Sequence, residues 1–150
     1  MMKRECLKLV LSLVLGAGAA MPAFAADTPV TLAGVKVVKA DEMKKMLDAG
    51  TPVFDVREAA EHAEKSIKGT KSVPYKEKSA KEVGFDASQD KFDLSKLPGD
   101  KAAPIVFFCS GIACWKSYKA SVVAQKAGHS KVFWFRGGMP EWVAAGQLAQ

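Results

Sequence analysis

Four consecutive apolar residues, Ile105-Val106-Phe107-Phe108, run directly into Cys109. Two are β-branched and two aromatic, with no polar residue between them, so the run predicts a short strand buried on both faces, as in the middle of a parallel sheet. Ser110, Gly111, Ile112, Ala113 and Cys114 follow, and a helical pattern then opens in which Trp115, Tyr118, Val122 and Val123 share one face. Cys109 is thereby expected at the carboxyl end of a strand, where open α/β sheets bind their ligands. Its thiol would face the amino end of the next helix, whose free N–H groups and dipole favour an anion and lower a thiol pKa.

The rest of the chain supplies elements that such a strand can pair with. Val35 to Val38 reads as a short first strand, and Asp41-Glu42 opens a helix with Met43, Met46 and Leu47 on one face, closed by Gly50 and Pro52. Val53-Phe54-Asp55-Val56 is a second strand leading through Arg57 and Glu58 into a short acidic helical piece with Ala59, Ala60, Glu61 and His62. A third strand at Ser72-Val73-Pro74-Tyr75 is cut short by Pro74, which has no N–H to donate. Lys131 to Phe135 is the last strand, Arg136-Gly137-Gly138 a tight turn, and Pro140 suits the first turn of a final helix holding Trp142 and Val143. Strands alternating with helices imply parallel crossovers. The mostly polar segment 76–103, with Phe85, Phe92, Leu94 and Leu97 as scattered apolar anchors, is expected to be a packed surface excursion, with a partner-binding loop as the alternative.

At 150 residues the chain has room for one domain with a short appendage. Lys3, Arg4 and Lys8 precede an apolar run from Leu9 to Ala20, and Ala23-Phe24-Ala25 places small residues where a signal peptidase reads. The run is shorter than the roughly 20 apolar residues of a membrane span. Residues 1–25 are therefore read as a cleaved signal peptide, 26–34 as a flexible N-terminal segment and 35–148 as the folded domain. The mature protein is expected outside the cytoplasm, in the periplasm, without a stable membrane anchor. Cleavage removes Lys3, Arg4, Lys8 and Glu5, so a net charge of +6 becomes +4. The remaining lysines alternate with acids, as in Lys76-Glu77-Lys78, which argues against a nucleic-acid tract while leaving a field that helps a small anion approach. Cys6 leaves with the signal, so the mature chain keeps Cys109 and Cys114. In an oxidising compartment that pair invites a disulfide, although so short a loop gains little stability from cross-linking.

Three separated pieces of the chain match one pattern. Asp55-Val56-Arg57-Glu58, followed by Glu61-His62, Ile67, Gly69 and Ser72-Val73-Pro74-Tyr75, resembles the first signature of the rhodanese family. The loop from Cys109 resembles its active-site loop, and Arg136-Gly137-Gly138-Met139-Pro140-Glu141-Trp142 is similar to its closing signature. The resemblance implies a three-layer α/β/α domain with a central, mostly parallel five-stranded sheet. It also implies a sulfurtransferase in which Cys109 carries sulfane sulfur as a persulfide, held by the backbone amides of Ser110, Gly111, Ile112, Ala113 and Cys114. The donor would be a small sulfur-containing anion such as thiosulfate, or a protein persulfide. The acceptor would be a thiol or a cyanide-like nucleophile, and no metal or organic cofactor is required.

Two features depart from that pattern. Many thiosulfate-using members have a basic residue within the loop, whereas here the nearest is Lys116, one turn into the helix. The sixth loop position is Cys114, which as a resolving thiol would attack a Cys109 persulfide, release sulfide and leave a Cys109–Cys114 disulfide. Two alternatives to sulfur transfer therefore stand: a thiol-disulfide redox protein using both cysteines, and a non-catalytic module that recognises a protein partner. Asp55 and Arg57 are supporting residues whose structural reading is a capped turn and a pairing with Glu58 or Glu61. His62 and His129 lack partners at metal-ligand spacing, and Trp115, Trp134 and Trp142 read as packing. The ordered signal pattern predicts that the exported protein begins near Ala26. N-terminal sequencing checks this, and a membrane-bound product that retains Met1 would refute it.

Overall fold

The strand expected at Ile105–Phe108 is the middle of the sheet in a computed structural model that describes residues 26–150. The signal peptide read at 1–25 lies outside the described residues. In chain order the elements are β1 (Lys36–Val37), α1 (Ala40–Asp48), β2 (Val53–Asp55), α2 (Ala59–Glu64), β3 (Lys71–Ser72), β4 (Tyr75–Lys76), β5 (Lys91–Phe92), β6 (Ile105–Phe108), α3 (Trp115–Lys126), β7 (Val132–Phe135) and α4 (Gly138–Ala144). The order β1-β7-β6-β2-β3 makes a five-stranded sheet in which every pairing is parallel. β4 and β5 form a separate antiparallel pair. Pro74 separates β3 from β4, as a residue without an N–H should. Among the described residues no helix is long and apolar enough to cross a membrane.

Strand periodicity decides which way the site faces. Side chains alternate across a strand, so Ile105 and Phe107 enter one apolar layer and Val106 and Phe108 the other. The first layer includes Ala120 and Ala124 of α3, and the second includes Met43 of α1 and Trp142 of α4. All four β6 side chains are completely buried, each worth roughly 1.5–3 kcal/mol of burial. Cys109 continues the parity of Ile105 and Phe107 and joins the α3 layer.

The 76–103 segment is a packed excursion. Tyr75 and Phe92 pair across β4 and β5, and Phe92 stacks edge-on to Phe107 with centroids 5.9 Å apart. One carboxylate organises its turn: Asp90 accepts from Tyr75 Oη at 2.7 Å, from the amides of Lys78 and Ser79 at 2.7 Å each, and from Ser79 Oγ at 2.6 Å. Lys119 of α3 is fully buried, donates to the Ser79 carbonyl and hydroxyl at 3.1 and 2.8 Å, and pairs with Glu77 at 2.8 Å. The Glu77 contact is an ion pair without hydrogen-bond alignment. Breaking such a pair by removing one partner costs about 3–5 kcal/mol, because the other charge is left buried. The helical pattern identified α3 through its apolar residues, yet its buried face also carries Ser117, Lys119 and Ser121.

Residues 26–34 differ from the flexible segment expected. Thr28 is buried, and its amide and hydroxyl donate to the Ile112 carbonyl at 2.9 and 2.7 Å. Arg136 donates to the Thr28 carbonyl at 2.6 Å and hydroxyl at 3.1 Å, and the Trp115 indole donates to the Ala26 carbonyl at 2.9 Å. The segment has no apolar periodicity to announce packing, although Leu32 packs against the cluster of Trp115, Tyr118 and Trp134. Its order comes from hydrogen bonds to residues more than 80 positions away.

Burial alone would raise the Asp90 carboxyl, but the hydrogen bonds from Ser79, Tyr75 and Lys78 prevail and hold it at about 2, below its ordinary 3.8. A depressed carboxyl contributes stability that is fully present above the unfolded value and lost as pH falls through the folded one. Urea unfolding midpoints should therefore fall as pH drops from about 4 towards 2. Asp90→Asn should lower stability at pH 7 by about 1–2 kcal/mol and make that acid slope shallower. An unchanged slope would remove Asp90 from this role.

Candidate active site

Cys109 ends β6 with 1% of its surface exposed, bonded to Cys114 across Cα atoms 6.4 Å apart. That separation lies within the range a disulfide accepts. The loop between them turns at Gly111, whose φ of 138° is open mainly to glycine. Gly138 supports the loop from the other side: a Cβ there would meet the Cys109 carbonyl oxygen at 2.2 Å and the Gly111 nitrogen at 2.8 Å. The Met139 amide donates to that same carbonyl at 3.2 Å. The closing Arg136-Gly137-Gly138 motif thus presses its backbone directly against the cysteine loop.

Inside the loop the donors are unevenly used. Cys114 N–H donates to the Gly111 carbonyl at 3.1 Å. Among the described residues, nothing accepts from the amides of Ser110, Gly111, Ile112 or Ala113. Cys114 caps α3 without a side-chain hydrogen bond, so the first turn of that helix also opens towards the loop. Behind the sulfur stands Ser117, with Oγ 3.2 Å from Cys109 Sγ. A disulfide sulfur carries no proton, so the serine hydroxyl is the donor. Its oxygen accepts from the Trp134 indole at 2.9 Å, which leaves its hydrogen for the sulfur. Ser117 was not singled out from the sequence. The available signal was its place at i, i+4 and i+7 with Ser121 and Ala124, small residues that let α3 approach the sheet.

A cleft of about 500 Å³ opens over the loop and is lined by Ser110 to Lys116, with Arg57, Glu61, Glu77, Lys81 and Pro140 around it. Cys114 borders it and Cys109 does not. Most of its charges are already engaged. Arg57, 8% exposed, grips Asp55 through Nε–Oδ1 at 3.0 Å and Nη2–Oδ2 at 2.7 Å, and donates to the Lys65 carbonyl at 2.7 Å. Its partner is thus Asp55, not the expected Glu58 or Glu61. Ser66 Oγ donates to Asp55 at 2.7 Å, and His62 Nδ1 lies 3.0 Å from the same carboxylate. Burial pushes Asp55 up, but Arg57, Ser66 and His62 outweigh it and hold the carboxyl below its ordinary value. Lys116 is 2.9 Å from Glu58, whose other oxygen binds Lys76. Those two lysines, Lys76 first, lower Glu58 to about 2. Lys81 is the lining cation with no ion pair among the described residues, and its place in the excursion hid it from sequence analysis. Among the described residues no His, Cys, Asp and Glu side chains gather as a metal site.

The family model of the rhodanese-like domain matches residues 39–145. A Bacillus halodurans protein shares the fold with TM-score 0.57 at 20% identity, over 77% of this chain and 76% of that one. An Anabaena protein does so with TM-score 0.56 at 20% identity, over 75% and 79%. A thiosulfate sulfurtransferase from Pseudomonas aeruginosa matches with TM-score 0.53 at 25% identity, over 77% of this chain but 20% of its own length. No curated protein matches the sequence. With a match across most of its length and the same sheet architecture, this chain belongs to the rhodanese-like domain family.

Proposed function

We propose that this protein is a sulfurtransferase that passes sulfane sulfur through a persulfide on Cys109. The observation that carries the reading is the set of unengaged amides from Ser110 to Ala113, in the loop that joins Cys109 to the amino end of α3. Once its disulfide is reduced, the Cys109 thiolate attacks the outer sulfur of a donor of the thiosulfate class, and sulfite leaves with the bonding pair. The loop amides and the Ser117 hydroxyl then face a terminal anionic sulfur, which a thiol or cyanide-like acceptor removes. Arg57 and Lys116 are held by Asp55 and Glu58, so neither is a free clamp for a sulfonate, and Lys81 is the cation best placed to steer an anion inwards. This weak cationic provision favours a protein persulfide as donor alongside small anions.

The observed Cys109–Cys114 bond favours a second reading, a thiol-disulfide redox protein. It also suits the oxidising, periplasmic setting inferred from residues 1–25. The two are separated by turnover. Reduced protein freed of reductant should release sulfite from thiosulfate with cyanide as acceptor, and Cys109→Ser should abolish it; undiminished turnover in that variant would overturn the assignment. Ile112 is 44% exposed on the loop, so Ile112→Arg places a charge beside the donor. It should raise kcat/KM for thiosulfate about tenfold, the scale of one charge-assisted hydrogen bond.

A further inference from the structure

The two sulfurs of the Cys109–Cys114 bond are not equivalent targets. Cys114 borders the open cleft, while Cys109 is 1% exposed and packed among Phe107, Ala120 and their neighbours. Thiol-disulfide exchange needs the attacking thiolate, the attacked sulfur and the leaving sulfur in line. An attack on Cys109 would have to reach a sulfur that is buried and outside the cleft, with Ser117 Oγ 3.2 Å away and the Trp134 indole bonded to that hydroxyl. An attack on Cys114 comes from the cleft. The leaving sulfur is then Cys109, which has the Ser117 hydroxyl at 3.2 Å and the amino end of the twelve-residue helix α3 beside it, both favouring a thiolate.

We propose that this disulfide is a reductive gate opened from the Cys114 side by an external dithiol, with Cys109 as the leaving thiolate stabilised by Ser117. The proposal deepens the sulfur-transfer reading, because a Cys109 locked in a disulfide has no thiolate to accept sulfur. One thiolate of the dithiol attacks Cys114 Sγ; a sulfur–sulfur bond to Cys114 forms, the Cys109–Cys114 bond breaks, and its electron pair stays on Cys109. The second thiol of the reductant, as thiolate, attacks the reductant sulfur bound to Cys114. This closes the reductant's own disulfide and expels Cys114 as a thiolate that takes a proton from solvent. The dithiol is oxidised by two electrons and the cysteine pair reduced by two. Trp134 has a positioning role: its indole N–H occupies the Ser117 oxygen and turns the hydroxyl hydrogen towards the sulfur.

The test needs no sulfur donor, so its failure is separate from failure of sulfur transfer itself. Oxidised protein is exposed briefly to glutathione, a monothiol whose first attack leaves a mixed disulfide, then alkylated with N-ethylmaleimide before a second glutathione can displace the first. Fragment-ion sequencing of the peptide that holds both cysteines should find glutathione on Cys114 and maleimide on Cys109. The reverse pattern would overturn the proposal. Ser117→Ala should slow reduction by dithiothreitol about tenfold, and Ser117→Thr should restore it. In reduced Cys114→Ser protein, the pH profile for alkylation of Cys109 should move to higher pH when Ser117→Ala is added. An unmoved profile would remove Ser117 from the gate. The expected adduct pattern together with absent sulfur transfer from both thiosulfate and a protein persulfide would keep the gate and overturn sulfur transfer instead.

Discussion

β6 has a hydrogen-bonded parallel neighbour on each edge and an apolar layer on each face, so its four residues have no freedom left in position or register. Val53, Phe54 and Asp55 stand opposite Val106, Phe107 and Phe108, and Val132 to Phe135 stand opposite the whole strand. A one-residue slip would turn every side chain to the opposite layer. It would also carry Cys109 from the α3 side, where Ser117 meets it, to the side of α1 and α4. The chemistry at the strand end therefore rests on alternation inside the strand.

The charges around the loop serve mainly to hold the backbone. Asp55 ends β2 next to β6, and its ties to Arg57, His62 and Ser66 bind the connection after β2 to the chain beyond α2. Glu58 bridges Lys76 of β4 and Lys116 of α3, and Lys119 joins α3 to Glu77 and Ser79. These pairs span elements far apart in sequence, so a formal excess of positive charge leaves little cation free at the cleft itself. The Ser117 hydroxyl is the donor at the cysteine sulfur, and the loop amides are left without acceptors, so neutral dipoles and not charges make up the local donor set.

The loop is held from both directions along the chain. Gly138 and Met139 press on the Cys109 carbonyl from the C-terminal side, and Thr28 donates two hydrogen bonds to the Ile112 carbonyl from the N-terminal side. Arg136 joins the two supports through Thr28.

Local pattern was enough to read β6, the position of Cys109 at its end, the helix after the loop and the parallel crossovers, because apolar runs, Pro74 and the glycine turns act over a few residues; the rhodanese-like architecture followed from the resemblance of three separated motifs. Other features were set only by the tertiary structure. Arg57 chose Asp55 over Glu58 and Glu61 because the β2 end is buried and an unpaired carboxylate there would be costly. Lys119 carries no local sign of burial, and Glu77 and Ser79, about 40 residues away in sequence, arrive to receive it. Thr28 carries no pattern and Ser117 only its helical spacing with Ser121 and Ala124: each is a small polar residue whose importance exists only once Ile112, Arg136 or Cys109 is brought within hydrogen-bond distance. Sequence determines elements through short-range periodicity. The pairing of buried polar groups is decided by the folded geometry, since the penalty for leaving one unsatisfied arises only after water has been excluded.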